Sequence, residues 1–267
     1  MQLTWFPARS QEDYVEFSIT VFNHPLEKEF LSKYSDDPFL LLQSLNPKEE
    51  INSKNWNKLV NKLDKSVKKN NKNVQLLSDI FFSTHQLILK NYAKYAYFSQ
   101  TLDEGVYDCV TGTASLALML ERYGIPYRIM ETDQHVFIRG DFEGTPFIFE
   151  STFPSEGVIT DPEKVKLFEK NFTGGPENEK VARSHTEVGA ISDQNEVNVL
   201  YNAIDLRQLA GLQYYNDAIR KFHEDDFQAS FAQLVKAEFL YPSERIQDFK
   251  GKIQMVLGIV SVQEPFL

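Results

Sequence analysis

One cysteine, Cys109, stands in a chain of 267 residues, within the stretch EGVYDCVTGTASLALMLERYGIP. Asp108 before it is a good N-cap residue, so the pattern puts Cys109 at the first position of a helix. The partial positive charge of a helix N-terminus stabilises a thiolate and lowers the thiol pKa, and a thiolate is the nucleophile that acyl-transfer chemistry needs. Downstream, HVFIRG and PFIFEST alternate with period two around DFEGT, which predicts a β-hairpin whose strands carry His135 and Glu150. A turn centred between Phe142 and Glu143 sets His135 directly opposite Glu150, with Cβ atoms about 5 Å apart. A register moved by two residues keeps both on one face; a slip of one separates them. A histidine beside a thiol takes its proton, and a carboxylate on the other ring nitrogen fixes the tautomer and steadies the imidazolium. In this chain order Cys109, His135 and Glu150 form a thiol triad of nucleophile, base and orienting acid.

Each of these residues also has a plainer reading. A lone cysteine is often a buried small hydrophobe, His135 could be a strand histidine with satisfied nitrogens, and Glu150 could protect an edge strand. Asp133 is a rival acid, two residues before His135 in an expected loop. A three-ligand zinc site from Cys109, His135 and Glu150 is conceivable, but no second histidine at helical spacing supports it, so neither metal nor cofactor is expected. An oxyanion hole would use the Cys109 backbone N–H and one upstream donor, with Gln100 and Tyr107 as candidates. Arg128 and Arg139 read as solvent-facing strand residues rather than binders of a substrate carboxylate. Tyr107 and Phe137 either line the cleft or pack. His85 reads as a satisfied surface or core histidine.

Behind these residues stand the elements that must hold them. From Cys109 to Tyr123, Val110, Ala114, Ala117, Leu118 and Leu120 give an apolar helix face, and Gly124 and Pro126 supply a stop. Gly112, Ala114, Ser115 and Ala117 crowd its first half with small residues, which permits close packing. Upstream, Leu77, Phe81, Thr84, Ile88, Tyr92 and Tyr95 recur at spacings of three and four and predict one long helix. YRIMET, before the hairpin, predicts a third strand. Residues 1 to about 57 predict a few helices and loops. NKLVNKLDKSVKKNNKNVQ reads as the solvated face of a helix ending in a polar loop; it lacks the interleaved aromatics of a basic binding patch. KNFTGGPENEKVARSH reads as a long surface loop.

The segment YYNDAIRKFHEDDFQASFAQLVKAEFLYP resembles one tetratricopeptide repeat. Pro242 takes its terminal proline, Tyr214 its early aromatic, Ala218 and Ala237 its small positions, and Phe227 and Leu234 its large apolar ones. Asp217 stands where the repeat usually has Leu, and Ser230 where it usually has Ala. No second copy is evident, and one repeat cannot bury its own face, so the segment is expected to dock on the domain before it.

Composition bounds the rest. Hydrophobic residues make up 42% of the chain and aromatics 13%, enough for a core. A net charge of -10 argues against nucleic-acid binding. No apolar run approaches the ~18 residues of a membrane span. The N-terminal residues show no signal-peptide pattern, so a cytoplasmic setting is the default, although an exported chain whose signal had been removed would read the same. One cysteine excludes internal disulfides and multi-cysteine metal sites.

The stretch from Gly105 to Thr152, GVYDCVTGTASLALMLERYGIPYRIMETDQHVFIRGDFEGTPFIFEST, resembles the transglutaminase-like superfamily, and the likeness extends more weakly over the upstream helix. The family pattern is a Gly, a Cys opening a helix, a GIP-type helix end, a strand starting with His, and a strand ending in an acid followed by Ser or Thr. The resemblance implies a papain-like fold with Cys109 as nucleophile, His135 as base and Glu150 as third member. Asp is usual at the third position; a bacterial subgroup with YNCVTA…HVYL…EST has Glu there, and some bacterial members carry C-terminal helical repeats. The expected architecture is α+β: a mainly helical segment over 1–75, a transglutaminase-like core over 76–195 with the cysteine helix on a small antiparallel sheet, and a repeat-like helical end over 196–267. The implied activity is acyl transfer on a peptide or protein substrate, with hydrolysis ahead of amine transfer, and the C-terminal helices would offer a surface to a protein partner. The superfamily also holds proteins without activity, so the competing expectation is an inactive domain presenting a peptide groove. A cleft filled by the loop around Gly174 and Gly175 would favour that alternative.

Overall fold

The computed structural model describes residues 20–22, 24–49, 54–70, 72–173 and 201–258. The fold is mixed α+β, helices packed around a small antiparallel sheet. Helices α1 (Pro25–Lys33), α2 (Pro38–Leu41), α3 (Lys54–Asn70) and α4 (Gln75–Leu87) precede the site. A short parallel pair, β1 (Asn91–Tyr92) and β2 (Val106–Tyr107), brackets α5 (Phe98–Glu104). Then come α6 (Cys109–Tyr123), β3 (Tyr127–Thr132), β4 (Val136–Phe142), β5 (Thr145–Phe149), β6 (Val158–Ile159), α7 (Pro162–Thr173) and β7 (Tyr201–Ile204). Three helices close the described chain: α8 (Leu206–His223), α9 (Phe227–Leu240) and α10 (Glu244–Leu257).

Every residue of α6 from Cys109 to Leu120 is buried, an element of the interior rather than an amphipathic surface helix. The five-stranded sheet runs β6-β5-β4-β3-β7. Ile129, Val136, Ile138, Phe147 and Phe149 on one sheet face share a core with α6. Met130, Phe137 and Ile148 on the other pack with Val165 and Phe172 of α7.

The hairpin forms, in a different register. Phe142 pairs with Thr145 and Ile138 with Phe149, so the turn is Glu143–Gly144. Both turn residues have positive φ, 55° and 77°, the conformation of tight two-residue hairpins, for which glycine is suited. The ladder is therefore moved by two residues. Extended past its last pair, it puts Phe137, not His135, opposite Glu150. Parity is preserved, so His135 and Glu150 become diagonal neighbours on one face.

The long upstream helix also needs correction. It stops at Leu87, where the N–H groups of Ile88 and Leu89 both donate to the Thr84 carbonyl. Lys90 and Asn91 then donate to the Gly105 carbonyl, and Ala93 to that of Tyr107. Tyr92 and Tyr95 thus leave the helical stripe, Tyr92 for β1 and Tyr95 for a turn with φ 62°. The gain is a direct stitch between this segment and the residues just before Cys109. The stretch read as a long loop begins inside α7, and residues 174–200, with Gly174 and Gly175, lie outside the described residues.

The C-terminal helices pack α8 on α9 and α9 on α10, with α8 also against α6 and α2. The two departures from the repeat pattern have local reasons. Buried Asp217 accepts from Tyr97 Oη at 3.1 Å, Arg220 Nη2 at 2.6 Å and Gln233 Nε2 at 2.5 Å. Ser230 donates to the Ala218 carbonyl at 2.8 Å across the helix pair. Lys236 of α9 is fully buried and pairs with Glu27 of α1 at 2.7 Å. Arg245 of α10 pairs with buried Glu131 and donates to the Asp133 carbonyl, which clamps the β3–β4 turn. Leu31, Phe81, Leu116, Ile138, Leu234 and Ile253 belong to one apolar cluster, so the three sequence segments share a core. Among the described residues no helix is long and apolar enough to cross a membrane.

Candidate active site

The Asp108 carboxylate accepts the Thr111 N–H at 2.8 Å, and the Asp108 N–H donates to Thr111 Oγ1 at 3.0 Å. This reciprocal capping box fixes the start of α6 at Cys109. The helix N-terminus therefore lies at the cysteine, where its dipole favours negative charge.

His135 sits immediately before β4. Its N–H donates to Thr132 Oγ1 at 3.0 Å, and its carbonyl accepts the Thr132 N–H at 2.8 Å, which closes the Asp133–Gln134 turn. Glu150 sits immediately after β5, its N–H donating to the Gly157 carbonyl at 2.8 Å. Between the two side chains, His135 Nε2 and Glu150 Oε2 are 2.5 Å apart. The other carboxylate oxygen, Oε1, accepts the Thr152 N–H at 2.9 Å and the Thr152 hydroxyl at 2.7 Å. Burial alone would raise the Glu150 pKa; the charge and hydrogen bond of His135, with the two Thr152 donors, reverse this and hold it below the usual carboxylate value. The group is an ionised carboxylate at neutral pH, aimed at Nε2. One face of the imidazole stacks on Phe172 at 6.3 Å and 19°.

Three contacts join the start of α6 to this pair. Ser151 Oγ lies 3.5 Å from the Cys109 carbonyl oxygen, and the Thr113 hydroxyl donates to the Val136 carbonyl at 3.3 Å. A Cβ built on Gly112 would fall 2.8 Å from both Cβ and Oγ of Ser151 and 3.1 Å from the Tyr107 ring. Gly112 is what allows α6 to approach the residue after Glu150. In a helix interior Gly→Ala ordinarily stabilises by about 1 kcal/mol. Here Gly112→Ala is expected to destabilise by about 1–3 kcal/mol, the usual cost of overpacking, and to displace Glu150 from His135. The urea midpoint measures the first effect and the pH profile of thiol alkylation the second.

Cys109, His135 and Glu150 are 0%, 2% and 3% exposed, a covered site. Nε2 is the ring nitrogen that Glu150 engages.

The other candidates separate. The Gln100 amide donates to Glu104, one turn further along α5, at 3.2 Å. Tyr107 is buried at the site, its ring edge-on to Tyr92 at 5.8 Å and to His85 at 5.9 Å. Asp133 lies in the β3–β4 turn, its carbonyl accepting from Arg245, and Glu150 is the carboxylate bonded to His135. Arg128 is exposed, Arg139 pairs with Glu169 of α7 at 3.2 Å, and Phe137 packs on Phe168 and Phe172.

His85 departs from the reading of a satisfied histidine. It is 9% exposed, and neither ring nitrogen has a hydrogen-bond partner among the described residues. Burial lowers its pKa to about 4, with the Glu150 charge acting in the opposite direction.

Two further parts of the site were not singled out from sequence. Phe172 belongs to a helix signalled by Asp161–Pro162 and by the spacing of Val165, Phe168 and Phe172. Thr152 had a signal only as the last residue of the EST stretch, one beyond the Ser151 that directly follows the acid. Among the described residues no group of three or more His, Cys, Asp or Glu is placed to hold a metal ion. No family model, curated protein or solved structure matches the chain.

Proposed function

We propose that this protein is a thiol-dependent acyl-transfer enzyme acting on a peptide or amide carbonyl. The observation that carries the reading is the buried His135–Glu150 pair at 2.5 Å, set beside the capped helix start at Cys109. In the proposed cycle His135 takes the thiol proton, and the thiolate attacks the carbonyl carbon while the C=O electron pair moves onto oxygen. The tetrahedral intermediate collapses, the C–N bond breaks, and the imidazolium returns its proton to the leaving amine. Water, activated by the same imidazole, then hydrolyses the thioester to a carboxylic acid and restores the thiol. Glu150 orients the imidazole and stabilises its charged form throughout. The helix that begins at Cys109, packed on a small antiparallel sheet, supports a transglutaminase-like core, and the docked α8–α10 unit offers a surface to a protein substrate or partner.

The test uses p-nitrophenyl acetate. Wild type is expected to release a stoichiometric burst of p-nitrophenol with the acetyl group on Cys109, and Cys109→Ala none. Complete burial of the triad favours a second reading, an inactive domain used as a binding scaffold. That reading predicts no burst from the wild type.

A further inference from the structure

His85 is a buried imidazole whose nitrogens have no partner among the described residues, in a protein whose other buried polar groups are mostly held. Its ring lies 4.6 Å from Phe81, one turn back on α4, and edge-on to Tyr107 at 5.9 Å. Tyr107 is two residues before Cys109 and packs against the first turn of α6 at Gly112. Phe81 packs on Phe149 at 5.4 Å, just before Glu150, whose charge acts on His85. The imidazole thus lies between the wall that leads into the nucleophile and the wall that bears the acid. An apolar side chain would suit this pocket better, because a buried polar group without a partner is costly. Such an exception calls for a ligand or a role.

We propose that the His85 imidazole N–H is the second donor of the oxyanion hole, completing the one begun by the Cys109 backbone N–H. This inference rests on the acyl-transfer reading. The chemistry fits a neutral ring. A neutral imidazole carries one N–H that can donate to the oxygen on which negative charge develops, as neutral histidines do in other enzymes. Burial keeps His85 uncharged at neutral pH, so it does not compete with His135 for the thiol proton. Gln100, the side-chain amide considered for this role, is bonded to Glu104 instead.

Two reagents separate this inference from the reading beneath it. Iodoacetamide alkylation is a displacement at carbon that builds no oxyanion, so it reports the thiol–imidazole pair alone. Acylation by p-nitrophenyl acetate needs the oxyanion hole. His85→Phe keeps a planar aromatic ring, slightly larger than the imidazole, and removes the N–H; it is expected to slow acylation about 10²–10³-fold. Its alkylation pH profile should match wild type, and its melting temperature should be unchanged or higher. His85→Gln retains an N–H donor and is expected to recover at least tenfold of the lost rate. His85→Leu replaces the Phe variant if that one does not fold. Wild-type acylation rates in a folded Phe or Leu variant overturn the inference. A parallel change in alkylation also overturns it, since His85 would then act through the triad or the fold. Wild-type Cys109 that lacks low-pH alkylation rejects the underlying triad, a result independent of every His85 variant.

Discussion

His135→Ala is expected to abolish the low-pH reactivity of Cys109 toward iodoacetamide. An unperturbed thiol, with pKa about 8.5, is about 0.3% thiolate at pH 6. A thiol that has given its proton to an imidazole, itself held by an ionised carboxylate, is mostly thiolate there. The expected gap between wild type and variant at pH 6 is therefore on the order of 10²-fold, shrinking toward pH 9. Cys109 is buried, so alkylation passes through an opening step that scales the absolute rate. Opening that does not vary with pH leaves the shape of the profile intact, and the shape is the diagnostic. The variant carries a stability signature as well. Glu150 has a folded-state pKa below its ordinary value, largely through His135 acting against burial. A depressed carboxyl pKa contributes stability above the unfolded value, about 4.3, and loses it as pH falls through the folded one. In His135→Ala much of that contribution should vanish at neutral pH, and the acid-side fall in melting temperature should flatten. A wild-type profile that already follows a free thiol would end the triad reading.

Legibility followed the range of the signal. The start of α6 rests on neighbours within one turn, and Asp108, Cys109 and Thr111 sit in the capping box that the N-cap residue announces. The His135–Glu150 pair was legible as a shared face because strand parity is local, while the register was not. Centring the turn on Phe142 and Glu143 ignored that Gly144 is best placed to take a positive φ. The overrun of α4 had a different cause. Tyr92 and Tyr95 keep helical spacing, but the chain there finds backbone partners on Gly105 and Tyr107, a tertiary choice that periodicity cannot see. For α7, Val165, Phe168 and Phe172 carried the period within a highly charged segment, and the Gly- and Pro-containing residues after it drew its last turn, from Lys170, into a loop reading. His85 is the clearest limit. Its type and position on an apolar helix face are those of an ordinary core histidine. Only the convergence of Phe81, Tyr107 and Glu150 around it shows that its nitrogens are enclosed without partners among the described residues.

Glu150→Gln is expected to lower acyl transfer by about 10³–10⁴-fold with little change in fold, and the reason lies in Thr152. Both Thr152 donors converge on Oε1 of Glu150, while Oε2 faces His135 Nε2. A glutamine in this place must put its carbonyl oxygen where Oε1 was, because an NH2 there would meet an N–H and an O–H. Its NH2 then points at Nε2, which must become an acceptor. The ring proton moves to Nδ1, the edge through which the thiol proton would pass, and the base is lost by tautomer rather than by displacement. Replacing the orienting acid of a serine triad by its amide costs about 10⁴ in rate for the same reason. The low-pH alkylation of Cys109 should fall with it, since the amide no longer stabilises an imidazolium. Acylation of p-nitrophenyl acetate reads the loss, and near-UV circular dichroism checks that the isosteric side chain has kept the packing. Activity within tenfold of wild type would mean that Glu150 only holds the β5 end in place. A loss of the expected size in a natively packed variant would assign it to the proton on the ring.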